Sequence, residues 1–303
     1  MVELSNLSIS QNNIALGYAG DTLNTAIYLK RILADRAVVD YLTVLGEDFL
    51  SDQMKRYIQF EGIGIDHIRH STRRNIGIYA INNDTSGERT FTYWRDSSAA
   101  RLLFQDETDF KILLDYDLIY FSGISLAILA PIVRRKLMEF LREKPPKVQV
   151  AFDSNYRPKL WESPETAWAA SALAFRNCDI ALPSLADQVS LMQVNREETI
   201  VKWFRSISAS QTVLKRGSKG PRLIGTIEKN CKFSNSGNVV DTTAAGDSFN
   251  AAFLAYKFLG ESPVNSVNFA HQLANLVISQ PGAICDLNSF KKFMSRYNSE
   301  NEL

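Results

Sequence analysis

The chain has 303 residues, of which 45% are hydrophobic and 22% charged, with a formal net charge of +1 at pH 7. That length and balance leave room for one large α/β domain or two small ones, and they exclude global disorder. A near-neutral chain carries no electrostatic footprint for nucleic acid or an anionic membrane, so neither is expected as a partner and an anionic ligand must be held by a local site.

In chain order, the first strong signal is a buried strand over residues 38–45, followed by a helix over 51–61. Residues 76–82 then alternate, Asn83-Asp84-Thr85-Ser86-Gly87 supplies a turn, and residues 89–95 alternate again, which reads as a β-hairpin. On its second strand Phe91, Tyr93 and Arg95 share one face, because side chains alternate with period two. Short apolar strands are expected at 118–122, 148–152, 180–183 and 212–215, interleaved with helices at 131–143, 164–177 and 197–206. This alternation implies crossover connections and a mostly parallel sheet covered on both faces, with ligands gathering at the carboxyl ends of the strands. The last third is helical, at 247–259, 263–280 and 288–297.

The stretch that carries chemistry is Asp241-Thr242-Thr243-Ala244-Ala245-Gly246-Asp247-Ser248-Phe249-Asn250-Ala251-Ala252-Phe253. Small residues from Ala244 to Gly246 let a ligand approach the backbone at a helix start, where free N–H groups and the helix dipole attract anions. Asp247 at the mouth of that site can take a proton from a hydroxyl while the N–H groups steady phosphoryl charge. By themselves these residues read equally well as a helix opened by small residues with an acidic cap.

The same stretch resembles the C-terminal signature of the PfkB, or ribokinase-like, carbohydrate kinases. Gly17-Tyr18-Ala19-Gly20-Asp21-Thr22-Leu23-Asn24-Thr25-Ala26 resembles their N-terminal signature, in the family's order and separation. Four blocks are similar to the kinases of this family that act on 2-keto-3-deoxygluconate, a sugar acid. They are Gly20-Asp21-Thr22-Leu23-Asn24-Thr25, Ser86-Gly87-Glu88-Arg89-Thr90-Phe91 with Tyr93-Trp94-Arg95, Ser122-Gly123-Ile124-Ser125-Leu126-Ala127-Ile128-Leu129, and Asn155-Tyr156-Arg157-Pro158 with Leu160-Trp161.

The resemblance implies a single ribokinase-like α/β domain over residues 1–303. It would carry a small β lid inserted at about 76–96, with a contribution from residues near 12–19. It implies ATP and Mg2+ as cofactors. Asp247 would be the general base, with Ala244, Ala245 and Gly246 as the anion hole. Gly20, Asp21 and Asn24 would hold sugar hydroxyls, and Tyr79, Tyr93 and Arg95 would reach in from the lid. Arg157 would lie between substrate and triphosphate. Asn155, Lys215, Arg216, Gly217 and Gly220 would line the nucleotide site. A sugar acid needs a cation for its carboxylate, which an arginine fork supplies. Lids of this family often pack against one another, so a homo-oligomer, dimer or larger, is expected.

Two departures stand beside the match. Relatives usually have a buried strand ending in Gly-Glu ahead of the segment matching Val2-Glu3-Leu4-Ser5, for which this sequence has no room, so a sheet one strand short is expected. Many relatives also carry an Asn-x-x-Glu motif for magnesium and phosphate where this chain reads Pro183-Ser184-Leu185-Ala186-Asp187, which leaves the metal ligands unassigned. His67 and His70 have no third ligand nearby in sequence, and Cys178, Cys231 and Cys285 fit neither a disulfide framework nor a zinc motif. The absence of a leader pattern or a membrane-length apolar run completes the expectation of a cytoplasmic protein.

Overall fold

The computed structural model describes residues 1–8, 13–83, 89–225, 233 and 238–301. The chain begins with β1 (Val2–Ser8), β2 (Asn13–Tyr18) and α1 (Asp21–Leu33), then β3 (Thr43–Gly46), α2 (Phe49–Phe60) and β4 (Ile68–Ser71). The helix α2 starts earlier than its apolar periodicity suggests because Asp48 caps it, accepting from the Ser51 N–H at 3.0 Å. The expected hairpin is β5 (Ile78–Asn83) with β6 (Arg89–Trp94), while its tip at 84–88 lies outside the described residues. These strands form a four-stranded sheet in the order β2-β1-β5-β6, so the hairpin at 76–96 is joined to the first two strands of the chain. The row Gly17, Glu3, Tyr79, Tyr93 runs straight across it.

After a short α3 (Thr108–Ile112) come β7 (Leu118–Ser122), α4 (Gly123–Ile128), α5 (Pro131–Glu143), β8 (Gln149–Asp153), α6 (Pro164–Asn177) and β9 (Ile180–Ala181). Then follow α7 (Leu185–Met192), α8 (Glu197–Arg205), β10 (Gln211–Leu214) and β11 (Arg222–Ile224). The second sheet runs β11-β10-β9-β8-β7 and is parallel except for the β11 edge. Its strands are apolar on both sides because helices cover both faces. Val150 and Phe152 of β8 face one core with Phe175 and Leu137, while Ala151 between them faces the other with Phe253 and Phe269. The second face is closed by α1 and by α9 (Ala245–Phe258), α10 (Pro263–Ile278) and α11 (Leu287–Asn301). The helix α9 is central: residues 247–256 are all buried, and each fully buried Phe or Leu contributes about 1.5–3 kcal/mol.

The strand expected at 38–45 is shorter and does not join this sheet. It pairs with β4 in a separate two-stranded parallel sheet. One edge of β3 and one edge of β7 therefore have no strand partner among the described residues. Both strands line a cavity of 1190 Å³ that follows one face of α1 from Asp21 and Thr25 to Leu33. A slot thus lies between the unpaired edges of β3 and β7.

Candidate active site

Three chain features converge where the slot meets the carboxyl ends of β7, β8 and β10: the start of α1, the start of α9 and the loop after β8. Asp241 fixes the approach to α9. Its carboxylate accepts from the Thr243 N–H at 2.9 Å and from the Gly282 N–H at 2.6 Å, and its own N–H donates to the Ile278 carbonyl. The chain then turns through Ala244, which sits in the left-handed region at φ 60°. A non-glycine residue held there stores about 1–3 kcal/mol, a cost usually found at functional sites. The turn frees the first N–H groups of the helix. Ala245 spends its own on the Thr242 carbonyl at 3.3 Å, but those of Gly246 and Asp247 have no partner among the described residues. Of the residues expected at the helix start, Gly246 has a free N–H group, as does Asp247 after it, while Ala245 does not and Ala244 supplies the bend.

Asp247 is 8% exposed, and its Oδ2 accepts from Asn24 Nδ2 at 2.8 Å. Burial, with the nearby negative charges of Asp21 and Asp153, pushes its carboxyl up to about 7, against the pull of Asn24 and Lys215. Asn24 is itself locked, its Oδ1 accepting the Gly20 N–H at 3.2 Å. Asp21 opens α1 and takes donors from Ser122 Oγ, from Asn155 Nδ2 at 3.1 Å and from the Thr22 N–H at 2.7 Å. Burial raises its carboxyl as well. Asn155 is a buried non-glycine residue at positive φ, 26°, a bend that turns its amide toward Asp21. Thr25 Oγ1, 3.1 Å from the Asp21 carbonyl oxygen and 3.3 Å from that of Asp247, links this group to Gly20, Asn24 and Asp247.

The small sheet supplies a different wall. Tyr79 donates to the Glu3 carboxylate, and its ring stacks on Tyr93 at 5.9 Å between centroids. The Arg95 guanidinium lies over the Tyr93 ring at 4.1 Å and, like Asp21, lines the slot. Arg157 is exposed, and its Nη1 donates to the Tyr156 carbonyl at 2.8 Å. It is close enough to Asp21 and Asp187 to draw both carboxyls down against the effect of burial.

On the far side of α9, Lys215 ends the run of β10 with its Nζ 2.9 Å from Asp153 Oδ2 and 2.9 Å from Asn250 Oδ1. Arg216 points away from it. Its guanidinium donates to Glu197 at 3.0 Å and to the Gly220 carbonyl at 2.8 Å, so it braces the loop. Gly217 and Gly220 both need positive φ, and a Cβ at Gly220 would meet the Phe233 ring at 2.5 Å.

Sequence reading gave no role to Asp153, Tyr120, Asn250, Asp241 or Asp187, although Asp241, Asn250 and Asp187 stand inside stretches it singled out, and only the fold gathers them here. Asp153 stands at a strand end two residues before Asn155. The departure at 183–187 is also milder than it reads: Asp187 still supplies an acid, which accepts from Ser154 Oγ at 2.8 Å and is raised by burial and by Asp153. Among the described residues no three acidic, histidine or cysteine side chains cluster. Magnesium uses one or two carboxylates plus water and phosphate oxygens, so Asp187 beside Asp153 fits it without a full protein cage.

A family model described as pfkB family carbohydrate kinase matches residues 2–289. The 2-dehydro-3-deoxygluconokinase of Escherichia coli (strain K12) is 36% identical over 293 residues, 94% of each chain. The enzyme of the same name from Dickeya dadantii is 36% identical over 301 residues, 95% of each chain. In fold, the chain is similar to the 2-dehydro-3-deoxygluconokinase of Thermotoga maritima, with TM-score 0.77, 22% identity and 97% of each chain covered. Aminoimidazole riboside kinase from Salmonella enterica gives TM-score 0.80 at 19% identity, over 97% of this chain and 96% of that one. The chain belongs to the PfkB family of carbohydrate kinases. It is an ATP-dependent carbohydrate kinase with a ribokinase-like α/β fold, and no helix among the described residues is long and apolar enough to cross a membrane.

Proposed function

We propose that this protein is a single-domain kinase that transfers the γ-phosphoryl group of ATP to the terminal hydroxyl of 2-keto-3-deoxygluconate, forming the 6-phosphate. The carrying observation is Asp247: buried, held by Asn24, raised to about 7, and standing directly beside two free helix N–H groups. The sugar-acid kinases at 36% identity support the substrate.

In this reading the substrate hydroxyl gives its proton to the Asp247 carboxylate as its oxygen bonds to the γ-phosphorus, and the bond to the bridging oxygen of ADP breaks. A carboxylate with a pKa near 7 suits this work, since it is partly ionised at neutral pH yet basic enough to accept a proton. The N–H groups of Gly246 and Asp247 steady the charge on the phosphoryl oxygens. Lys215, Arg157 and Asn155 contribute polar groups on the nucleotide side, with the loop at Gly217 and Gly220 held by Arg216. Gly20, Asp21 and Asn24 orient the sugar hydroxyls. Arg95, over Tyr93 and next to Tyr79, is the cation for the substrate carboxylate; burial lowers its own pKa, and a carboxylate would offset that cost. Magnesium, when bound with ATP, neutralises charge on the transferred phosphates, and Asp187 and Asp153 are the acids that would hold it, directly or through water.

The small sheet acts as the lid. Its Ile14, Leu16 and Trp94 are 61%, 50% and 58% exposed, apolar surface that supports a homo-oligomer, and light scattering showing only monomer would remove that part.

The test is ATP consumption with 2-keto-3-deoxygluconate, fructose and ribose side by side, for wild type and Asp247→Asn. Turnover on the sugar acid is expected, with kcat falling about 10²–10⁴-fold in the variant. Turnover confined to fructose or ribose would defeat the substrate assignment, and an unaffected Asp247→Asn would defeat the base. With Arg95→Leu the KM for the sugar acid should rise at least about tenfold while fructose is unaffected.

A further inference from the structure

We infer that Asn250 is a positioning residue that, together with Asp153 and Tyr120, aims the Lys215 ammonium at the start of α9; this rests on the phosphoryl transfer proposed above. The helix carries Asn250 among Phe249, Ala251, Ala252 and Phe253, all buried, and Asn250 itself is 0% exposed. An amide buried among such neighbours costs stability unless each polar atom is bonded. Here each is. Oδ1 accepts from Lys215 Nζ at 2.9 Å, while Nδ2 donates to Asp153 Oδ2 at 2.7 Å and to Tyr120 Oη at 3.0 Å. Asn250 belongs to α9, Asp153 ends β8, Tyr120 lies within β7 and Lys215 follows β10, so the amide ties the helix carrying Asp247 to three strands of the parallel sheet.

Lysine has three N–H donors on a flexible stem. Two are taken by Asp153 and Asn250, which fixes the direction of the third. Nζ stands close to Gly246, where a Cβ would lie 3.6 Å from it. The ammonium therefore stands against the helix start whose N–H groups are free. Without Asn250, Lys215 keeps its attraction to Asp153 but loses the second anchor, and its angle to Gly246 is no longer set. A purely structural amide would behave differently: its removal would lower thermal stability and leave the reacting centre alone.

A double-mutant cycle separates the two roles. Lys215→Met should lower kcat by about 10²-fold, the loss typical of one charge-stabilising donor. Asn250→Ala should lower kcat by about tenfold with the KM for the sugar unchanged, and Tyr120→Phe, which keeps the ring and its packing, by a smaller factor. The double variant Lys215→Met/Asn250→Ala should be no slower than Lys215→Met alone. The acid limb of the pH profile should also move upward in Asn250→Ala. The charged groups acting on Asp247 are Asp21, Asp153 and Lys215, and only Lys215 pulls its carboxyl down. Losses that multiply in the double variant, or an unchanged kcat in both Asn250→Ala and Tyr120→Phe, would overturn the inference.

The cycle is run on whichever of the three sugars wild type phosphorylates, so a wrong sugar leaves it intact. If wild type phosphorylates none, the proposed function fails, and binding of inorganic phosphate followed by 31P NMR decides the inference by itself. Weaker binding in both variants, with the larger loss in Lys215→Met, supports it, and undiminished binding in Asn250→Ala sinks it.

Discussion

The two sides of α1 are built to different standards. Toward α9 and α10 the helix packs Tyr28 and Ile32 into a core with Phe253, Phe269 and Leu273, all at most 2% exposed. Toward β3 and β7 the same helix lines the 1190 Å³ slot. Interiors ordinarily hold few voids larger than a water molecule. The difference shows where the chemistry can be held rigidly. Asp247, Asn24 and Asn250 are anchored in the dense half, while Arg95 and the outer side of Asp21 face the open one. A base and an anion site need fixed geometry, whereas a substrate needs a way in.

Paired substitutions of one kind on the two sides would sharpen or break this comparison. The largest expected difference is between Leu273→Ala and Leu29→Ala. The first should cost about 2–5 kcal/mol, because its neighbours surround it fully. Leu29 lines the slot and is only partly buried, so it has fewer contacts to lose and its truncation should cost less than half as much. Equal costs in urea denaturation would mean that the slot is closed in solution. A second pair runs in the other direction. Ala252→Leu, at a 0% exposed position of α9, should overpack and cost about 1–3 kcal/mol. Ala26→Leu, on the slot face of α1, should be neutral or raise the melting temperature.

A further difference is a pH dependence confined to the dense half. Asp247 is raised to about 7 from an ordinary 3.8, so its neutral form favours folding. That contribution is whole below 3.8 and is lost as pH rises through about 7. The melting-temperature advantage of Asp247→Asn over wild type should therefore widen between about pH 4 and 7 and then level off. An advantage that does not change with pH would show that the carboxyl keeps its ordinary value.

Much of the dense half could be read from the chain. Strict strand–helix alternation exposed the parallel sheet, because strands covered on both faces must be apolar throughout and their crossovers must be helices. Helix 131–143 and helix 164–177 match the structure residue for residue, since Pro131 and Pro164 mark their first turns. The local motif around Asp247 was legible because a helix start built from small residues is a short-range feature. Strand 38–45 was misjudged in length and partner, since an apolar run does not say which edge it joins.

What the sequence determined by itself was the fold class, the small residues that open α9, and the acid Asp247 that follows them. What only the tertiary structure decided was the company those residues keep. Asn24 lies 223 positions from Asp247, Asp153 lies 97 positions from Asn250, and Asp187 reaches Ser154 from 33 positions away. No local pattern encodes such pairs, because contacts between distant segments are set by how helices and strands pack. The free N–H groups of Gly246 and Asp247, the direction of Lys215 and the slot beside α1 belong to the same level.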